Sequence, residues 1–563
     1  MLTSLCLLSF SLSAQTEKDS INTEIINVVS SYKPTISDAF KSKDQPVIER
    51  SDTEKQQLEY HIVSKPIRSV FKPNPGGYRS AKLENKANRY NNYLKLGLGN
   101  YGTPLVDGFL YKQKEEHEFQ FFLYNRSSSG GIDGLQLDDN YLTTKLALDY
   151  KNTQQNFNWE AGVGYNRDII NWYGIPFEYD QIVIDGTEEK QTYNQFILNG
   201  AIHFNQGHFK DIRASMSSFS DGFDSSEMDL KFGTTIEFPL RSNKIVTAVN
   251  LDILNGNFKN DYNNTTEINY GYFRFGTAAI YPIQKENMFF SIGAKVIFNS
   301  DLENDTSKFY IYPDLKIDFV VVDEIFNIYG GINGDLNQNS YRSITRLNPF
   351  VSPTLLIKPT DNSFTAYTGL KGKLSSRIDY TIKASYSTEN DKLLFRSNQN
   401  QTDGTTVVTQ GYTAGNSFYT LYDNVSTFGL FGQINAEFSD QLAAGASLQI
   451  NSYAMDTEAE AWNLPPYNAM LYASYSYKKW NTKAELFSKG KRQELQVDSN
   501  LTELPIELDA FLDLNLSTHY KINSKWNAFL DLNNILNSNY EVYTQYQVQG
   551  FQVMIGATYH FDF

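Results

Sequence analysis

The feature that most constrains this fold is a period of two in hydrophobicity, which recurs from position 93 to the end of the chain. Apolar residues take every second position and small or polar residues lie between them, as in 94–98, 230–238, 442–448 and 551–563. Successive side chains of a β-strand point to opposite faces, so each segment predicts a strand with one apolar face. A soluble β-sandwich has the same alternation, and this pattern alone does not exclude it.

The connections between these segments distinguish a membrane barrel from a sandwich. The short polar connections are 114–118, 152–156, 239–243, 282–287, 374–377, 439–441 and 522–525. The long ones between them include 166–191, 254–267, 335–362, 388–424, 451–468 and 534–550. Short turns at one end and long loops at the other are typical of outer-membrane barrels, whose turns face the periplasm. We therefore predict an all-β fold, a transmembrane antiparallel β-barrel of about 22 strands over residues 93–563.

Composition agrees with strands rather than helices as the membrane-crossing element. The mean hydropathy is -0.44 while aromatic residues reach 14%, with 38 Tyr and 38 Phe. Beyond the N-terminus the chain has no apolar run of about 18 residues, the length that a transmembrane helix needs. Aromatic residues beside the short connections predict a girdle at the periplasmic interface. These residues are Tyr150, Tyr281, Trp480, Tyr520 and Trp526.

The first residues are typical of an export signal. A short apolar stretch is followed by small residues, which predicts a signal peptide over 1–14 and an extended periplasmic segment over 15–92. Cys6, the only cysteine, lies inside the apolar stretch after Leu5, so we do not assign a lipoprotein signal. Export together with a barrel predicts the outer membrane of a Gram-negative bacterium, with its lipids as surroundings.

The last strand has a pattern that resembles the signal read by the bacterial barrel-assembly machinery. Its apolar face ends on an aromatic residue, and a following tail would obstruct closure against the first strand. We therefore expect the assembly machinery to be a partner of this strand. The predicted assembly signal is Ile555, Ala557, Tyr559, Phe561 and Phe563.

The last forty residues resemble the final hairpin of TonB-dependent receptors. That family has an N-L-x-N-x-x-Y element, and here Asn534, Asn537 and Tyr540 stand in its places, with Ile535 instead of the usual Leu. The Gly-Arg that usually precedes the last strand is replaced by Gly550 and Phe551. The "SAQ" ending of the signal peptide and the low arginine content resemble the Bacteroidetes type. The resemblance implies transport across the outer membrane.

The resemblance fails at the N-terminus, where the family has a plug domain of well over a hundred residues. Residues 15–92 are too few for it and include a segment rich in Pro and Gly. One short β-prone run resembles the family's energy-coupling box, which implies TonB as a partner, although any short β-prone run would look similar. Its residues are Glu24, Ile25, Ile26, Asn27, Val28 and Val29.

Charge indicates what the N-terminal segment does. Residues 1–92 have a net charge of +3 and residues 93–563 a net charge of -18. Residues 60–92 contain seven basic residues and one acid, Glu84. This excess of positive charge predicts a basic strap in the periplasmic mouth of an acidic barrel. The alternative is a flexible periplasmic tail. The strap residues are Lys65, Arg68, Lys72, Arg79, Lys82, Lys86 and Arg89.

No pattern of catalytic residues emerges, so we expect neither an enzyme nor a cofactor. The histidines have no neighbouring ligands at metal-binding spacing, and the net charge of -15 gives no reason to expect nucleic-acid binding. Two functions stay open. One is transport, with the lumen filled by the N-terminal segment or a partner. The other is a structural or assembly subunit that docks a periplasmic or surface lipoprotein.

Overall fold

The computed structural model describes residues 92–408, 410–497 and 502–562 of the chain. Twenty-two strands form one antiparallel sheet, which closes because the first strand pairs with the last. The barrel strands are β1 Asn92–Gly99, β2 Thr103–Lys114, β3 His117–Ser128, β4 Tyr141–Thr153, β5 Phe157–Asn171, β6 Lys190–Phe204, β7 Phe209–Ser220, β8 Ser226–Leu240, β9 Asn243–Phe258, β10 Ile268–Lys285, β11 Met288–Asp301, β12 Thr306–Val322, β13 Phe326–Asn337, β14 Thr360–Ser375, β15 Ile378–Ser397, β16 Phe418–Glu437, β17 Leu442–Met455, β18 Tyr467–Tyr477, β19 Trp480–Lys489, β22 Phe511–Lys521, β23 Trp526–Asn533 and β26 Gln552–Phe561.

The remaining elements lie in the long connections. They are the hairpins β20 Arg492–Val497 with β21 Glu503–Leu508 and β24 Glu541–Tyr543 with β25 Tyr546–Gln547, the helices α1 Gln181–Gly186 and α2 Tyr341–Leu347, and a 3-10 turn Gly411–Thr413. In the described part of the chain, no helix has the length and apolar character needed to cross a membrane. The fold class and the strand number predicted from the sequence are confirmed.

The two faces of the sheet have the polarity expected of a barrel in lipid. Residues paired across antiparallel strands share a face, and Leu94, Leu96 and Leu98 of β1 lie outward opposite Tyr559, Ala557 and Ile555 of β26. Leu96 is 49% exposed, which is a large exposure for leucine and indicates a lipid-facing surface. Lys95 lies between them and points inward, where its ammonium contacts Asp531 at 3.3 Å.

Aromatic rings cluster at the end of the barrel with the short turns. Tyr150 lies 4.8 Å from Phe119 and 5.0 Å from Trp159, measured between ring centroids. Trp480 contacts Tyr520 and Trp526 contacts Tyr559, each pair at 4.7 Å. This placement matches the girdle predicted from the sequence, and it identifies the short-turn end as one membrane interface.

The predicted connection lengths were wrong in two respects. The loop predicted at 388–424 covers only 398–417, because β15 and β16 are 20 residues long each. A strand crosses a bilayer in about 9–11 residues, so these strands continue well beyond the membrane. Three connections at the same end are short, those between β1 and β2, β7 and β8, and β11 and β12.

Candidate functional site: a loop cap at the outer mouth

Four long connections meet at the outer end of the barrel and form what we call the cap. The cap consists of residues 172–189, 338–359, 398–417 and 534–551. Tyr546 lies at its centre and is fully buried. Its ring stacks on Phe350 with centroids 3.6 Å apart, lies 4.9 Å from Tyr173, and its hydroxyl donates to the Asn416 carbonyl. One side chain therefore joins all four connections.

The lid segment, residues 338–359 of the cap, contains α2 and begins with a local capping arrangement. The Ser340 hydroxyl accepts from the Ser343 amide at 3.1 Å, and the Ser343 hydroxyl accepts from the Ser340 amide at 2.8 Å. Such a reciprocal pair satisfies two amides at the start of a helix. The helix ends at Leu347, just before Asn348 and Pro349.

The lid segment folds against the inner wall of the barrel. Glu227 of β8 is buried, and its carboxylate accepts from the amides of Tyr341 at 2.5 Å and Arg342 at 3.2 Å. The same carboxylate accepts from the Tyr270 hydroxyl at 2.8 Å. The Tyr341 hydroxyl donates to Asp221 at 2.8 Å. One buried acid of the wall and one acid of the connection between β7 and β8 therefore hold the first turn of α2.

The rest of the lid segment is anchored through its backbone carbonyls. The hydroxyl of Tyr193 donates to the Pro349 carbonyl, and that of Tyr272 to the Ile357 carbonyl, both at 2.8 Å. Phe219 packs edge to face on Tyr341 with centroids 5.2 Å apart. These side chains come from β6, β7 and β10, Glu227 comes from β8, and Phe258 of β9 packs edge to face on Tyr341. The lid segment therefore covers a continuous part of the wall.

Burial changes the ionisation of Asp221, which lies in the connection between β7 and β8. Burial raises the pKa of this carboxyl, while hydrogen bonds from Tyr341 and from the Phe223 and Ser225 amides oppose the rise. Donation from the Tyr341 hydroxyl therefore stabilises the ionised carboxylate, and Asp221 links the lid segment to the connection between β7 and β8.

Residues 172–189 and 398–417 are joined by hydrogen bonds at three levels. The Tyr179 hydroxyl donates to the Ala414 carbonyl at 2.7 Å, and the Asn416 amide group donates to the Trp172 carbonyl at 2.8 Å. The Asp180 amide donates to the carbonyl of Gly404 at 2.8 Å. Gly404 has φ +87°, a conformation that side chains disfavour. Burial also raises the pKa of Tyr179, which keeps its hydroxyl a donor.

The motif that carries the family resemblance has structural roles in the last loop. Asn534 is buried and donates to the carbonyls of Ser538 and Gln549 at 3.0 and 3.1 Å. The Asn537 side-chain oxygen accepts from the Phe551 amide at 2.8 Å. Tyr540 donates to Asp513 at 2.7 Å and stacks on the ring of Phe511. These residues shape the loop that presents Tyr546.

The structure places some of the residues predicted as sites and leaves others outside the described residues. Ile555, Ala557, Tyr559 and Phe561 share the outward face of β26, opposite Leu98, Leu96, Leu94 and Asn92. Outside the described residues lie Phe563, the signal peptide 1–14, the box-like segment 24–29 and the strap residues between 65 and 89. The assembly, coupling and strap roles stay predictions.

The acidic excess of the barrel does not lie mainly on the lumenal wall. Wall acids pair with basic residues, as in Lys295 with Asp335 at 2.9 Å and Arg274 with Asp252, whose Nε contact is 2.7 Å. By contrast, the outer connections 129–140, 172–189 and 456–466 contain three, five and three acidic residues and no Lys or Arg. The strap argument from lumenal charge is therefore weaker than the sequence suggested.

The two histidines nearest the end of the chain contact other side chains of the barrel. His519 lies against Phe529 on the inner face, and His560 lies 3.0 Å from the Asn527 amide group. Among the residues that the structure describes, no group of three His, Cys, Asp or Glu side chains is placed to hold a metal ion.

The lid segment was not identified from the sequence, although one local signal was available. Within the predicted loop 335–362, Ser340 and Ser343 lie three residues apart, which is the spacing of a helix N-terminal cap. The apolar residues Tyr341 and Ile344 are also three residues apart. This pattern favours a short helix with an apolar side. The contacts with Glu227 and Asp221 could not be inferred, since those residues lie more than a hundred positions away.

The comparisons with known proteins identify the fold. No family model and no curated protein sequence matches the chain. Among solved structures, the FrpB iron transporter from Neisseria meningitidis has a TM-score of 0.63 at 10% identity, covering 84% of this chain and 82% of that one. The ferripyoverdine receptor of Pseudomonas aeruginosa has a TM-score of 0.62 at 11% identity, covering 85% and 72%.

A third neighbour has the same architecture. The ferric-catecholate import receptor Fiu from E. coli K12 has a TM-score of 0.61 at 10% identity, covering 84% of this chain and 82% of that one. These neighbours are TonB-dependent receptors of the outer membrane. At such low identity the likeness establishes a common barrel fold, and activity has to be argued from the residues.

Proposed function

We propose that this chain is a transport barrel of the outer membrane of a Gram-negative bacterium, with a lid that closes its outer mouth between transport events. The observation that supports this most directly is the lid segment, which lies inside the wall of β6 to β10 and is held there by Glu227 and Asp221. A channel needs such a closure because an open barrel of this size would leak.

The chemistry of the anchors suits a lid that opens. The contacts of Glu227 with Tyr341 and Arg342, and of Tyr193 with Pro349, are hydrogen bonds. Water can replace each of them when the lid leaves the wall, so a bond between neutral groups contributes only about 0.5–1.5 kcal/mol net and a bond to the carboxylate about 1.5–3 kcal/mol. A bound ligand with a modest preference for the open state can therefore shift the equilibrium.

The fold neighbours support the class of cargo. They include an iron transporter, a ferripyoverdine receptor and a copper transporter. By this analogy we propose import of a scarce nutrient, powered by TonB through residues 24–29. The N-terminal segment or a partner then fills the part of the lumen below the lid. Substrate recognition is assigned to the cap, where Tyr546 joins four connections.

A second function is favoured by the density of the cap. Trp172 packs against Phe223 and Tyr412, and Tyr546 is enclosed by Tyr173, Phe350 and Phe418. Rings packed this closely contribute about 0.5–1.5 kcal/mol per pair beyond their buried area, which opposes opening. A permanently closed barrel would fit the alternative function, a structural or assembly subunit that docks a lipoprotein partner.

Extraction of the intact chain in mild detergent, followed by native mass spectrometry, separates the two functions. Transport predicts the barrel alone, with TonB, or with a bound small molecule. A stoichiometric protein subunit that stays through purification without TonB or small ligand, and that does not cross-link to residues of the lumenal wall, contradicts transport and favours the docking role.

A further inference from the structure

Two apolar side chains are exposed on the outer surface of the cap, on neighbouring connections. Ile182 of α1 is 65% exposed and Val407 of the 398–417 connection is 45% exposed. Ile182 and Gly186 lie four residues apart, on one face of the helix. A methyl group on Gly186 would lie 2.6 Å from Val407, so Val407 packs directly against this face. The two side chains therefore form one small apolar ridge.

The ridge is held rigidly by the residues beneath it. Val183 and Val408, the neighbours of Ile182 and Val407, are buried together with Tyr179 and Ala414. The Asp180 amide is bound to the Gly404 carbonyl at 2.8 Å. The exposure of the ridge is therefore a property of a packed surface, and a rigid surface loses little entropy when it binds.

Five exposed acidic side chains lie on the two connections that form the ridge. Glu178, Asp180, Asp185 and Glu188 are exposed, and so is Asp403. None of the five forms an ion pair with another described residue, and residues 172–189 contain no Lys or Arg. Some exposed acids in other connections do have basic partners, as Asp224 has Lys259 and Glu324 has Lys373.

Like charges also crowd the edge of this surface. Burial raises the pKa of Glu189, and the nearby carboxylates of Asp138 and Glu188 raise it further. A surface with this repulsion binds a cationic partner more readily, since the partner relieves it.

We propose that the acidic face, defined as Ile182 and Val407 with Glu178, Asp180, Asp185, Glu188 and Asp403, docks a basic amphipathic peptide segment of a partner protein. The apolar ridge takes the apolar side chains of that segment, and the acids pair with its lysines and arginines. Phosphate groups of lipid would be repelled, and a metal ion alone would make no use of Ile182 and Val407.

The test measures binding of two labelled peptides to the full-length chain in detergent by fluorescence anisotropy. One is a leucine–lysine amphipathic peptide and the other a lysine–serine peptide of equal charge. Asp180→Asn with Asp185→Asn should weaken the leucine–lysine peptide roughly tenfold at low salt. Ile182→Ser with Val407→Ser should weaken it roughly fivefold while leaving the lysine–serine peptide unchanged.

The matched control is Glu303→Gln with Asp305→Asn, which removes the same charge from the exposed connection between β11 and β12. It should change neither affinity by more than about twofold. If the control weakens binding as much as the variant at 180 and 185, attraction to the barrel is general. That result would overturn the proposal, and so would a ridge variant that binds both peptides like the unmodified chain.

Discussion

Glu227 is the residue on which the position of the lid segment depends most. Its carboxylate accepts from two lid amides and one tyrosine hydroxyl, and Glu227→Ala leaves these buried donors without an acceptor. Each such loss costs about 1–3 kcal/mol. We predict that hydrogen exchange at Tyr341–Leu347 accelerates by roughly tenfold or more. Glu237→Ala, at the exposed other end of β8, should leave exchange there unchanged; equal acceleration by both would refute the anchoring role.

Gly550 is required by a neighbour rather than by its own backbone. A methyl group at this position would lie 2.6 Å from the Asn537 side-chain oxygen, which is fixed by the Phe551 amide. Gly550→Ala should therefore lower the free energy of unfolding by about 1–2 kcal/mol, measured by urea unfolding of the heat-modifiable barrel. Gly432→Ala, which meets no atom within 4 Å, is the control and should unfold like the unmodified chain.

At the scale of elements, the hairpin β20–β21 docks on β24–β25 through two buried charged residues. The Arg492 guanidinium donates to the carbonyls of Glu541 and Val542 at 2.9 Å, and Glu494 accepts from the Thr544 amide at 2.7 Å. Burial raises the pKa of Glu494 to about 7, against the opposing effects of Thr544 and Arg492. Docking therefore favours the protonated acid.

This shift makes the docking of the hairpin depend on pH. Below the ordinary carboxyl pKa of 4.5 Glu494 is protonated whether docked or free, and above about 7 it is ionised in both states. Between these values the free hairpin binds fewer protons, so docking weakens as pH rises. Protection factors at Arg492–Val497 should fall from pH 5 to pH 7 and then level off. Glu494→Gln should remove the dependence; an unchanged slope in this variant contradicts the assignment.

The same scale shows what the sequence could and could not predict. Strands were predictable because their period of two in hydrophobicity is visible within a few residues, as in Leu94, Leu96 and Leu98. The neighbouring strands, with which they pair, show the same period. The cap was not, because Tyr341 meets Glu227 and Tyr546 meets Asn416 across more than a hundred residues. The ends of β15 and β16 were missed because strand beyond the membrane no longer needs an apolar face.

For the whole molecule, orientation is the property that decides which surface meets ligands. Long connections should face outside and short turns the periplasm. Single cysteines at Thr405 and Ser524, both exposed, test this with a membrane-impermeant thiol reagent on intact cells. Thr405→Cys should be labelled and Ser524→Cys should not, and the reverse pattern would invert the topology.

The most direct test of a lid at the outer mouth is single-channel conductance in planar bilayers. The comparison uses the intact chain, a variant lacking residues 60–89, a variant with 340–358 replaced by a short Gly-Ser linker, and the double variant. If the lid closes the outer mouth, the intact chain stays closed and the double variant conducts as an open pore. Removal of 60–89 alone raises conductance only partly, and high salt reproduces part of that increase. Equal conductance of the variant lacking 60–89 and the double variant would contradict it, because the lid segment would then obstruct nothing.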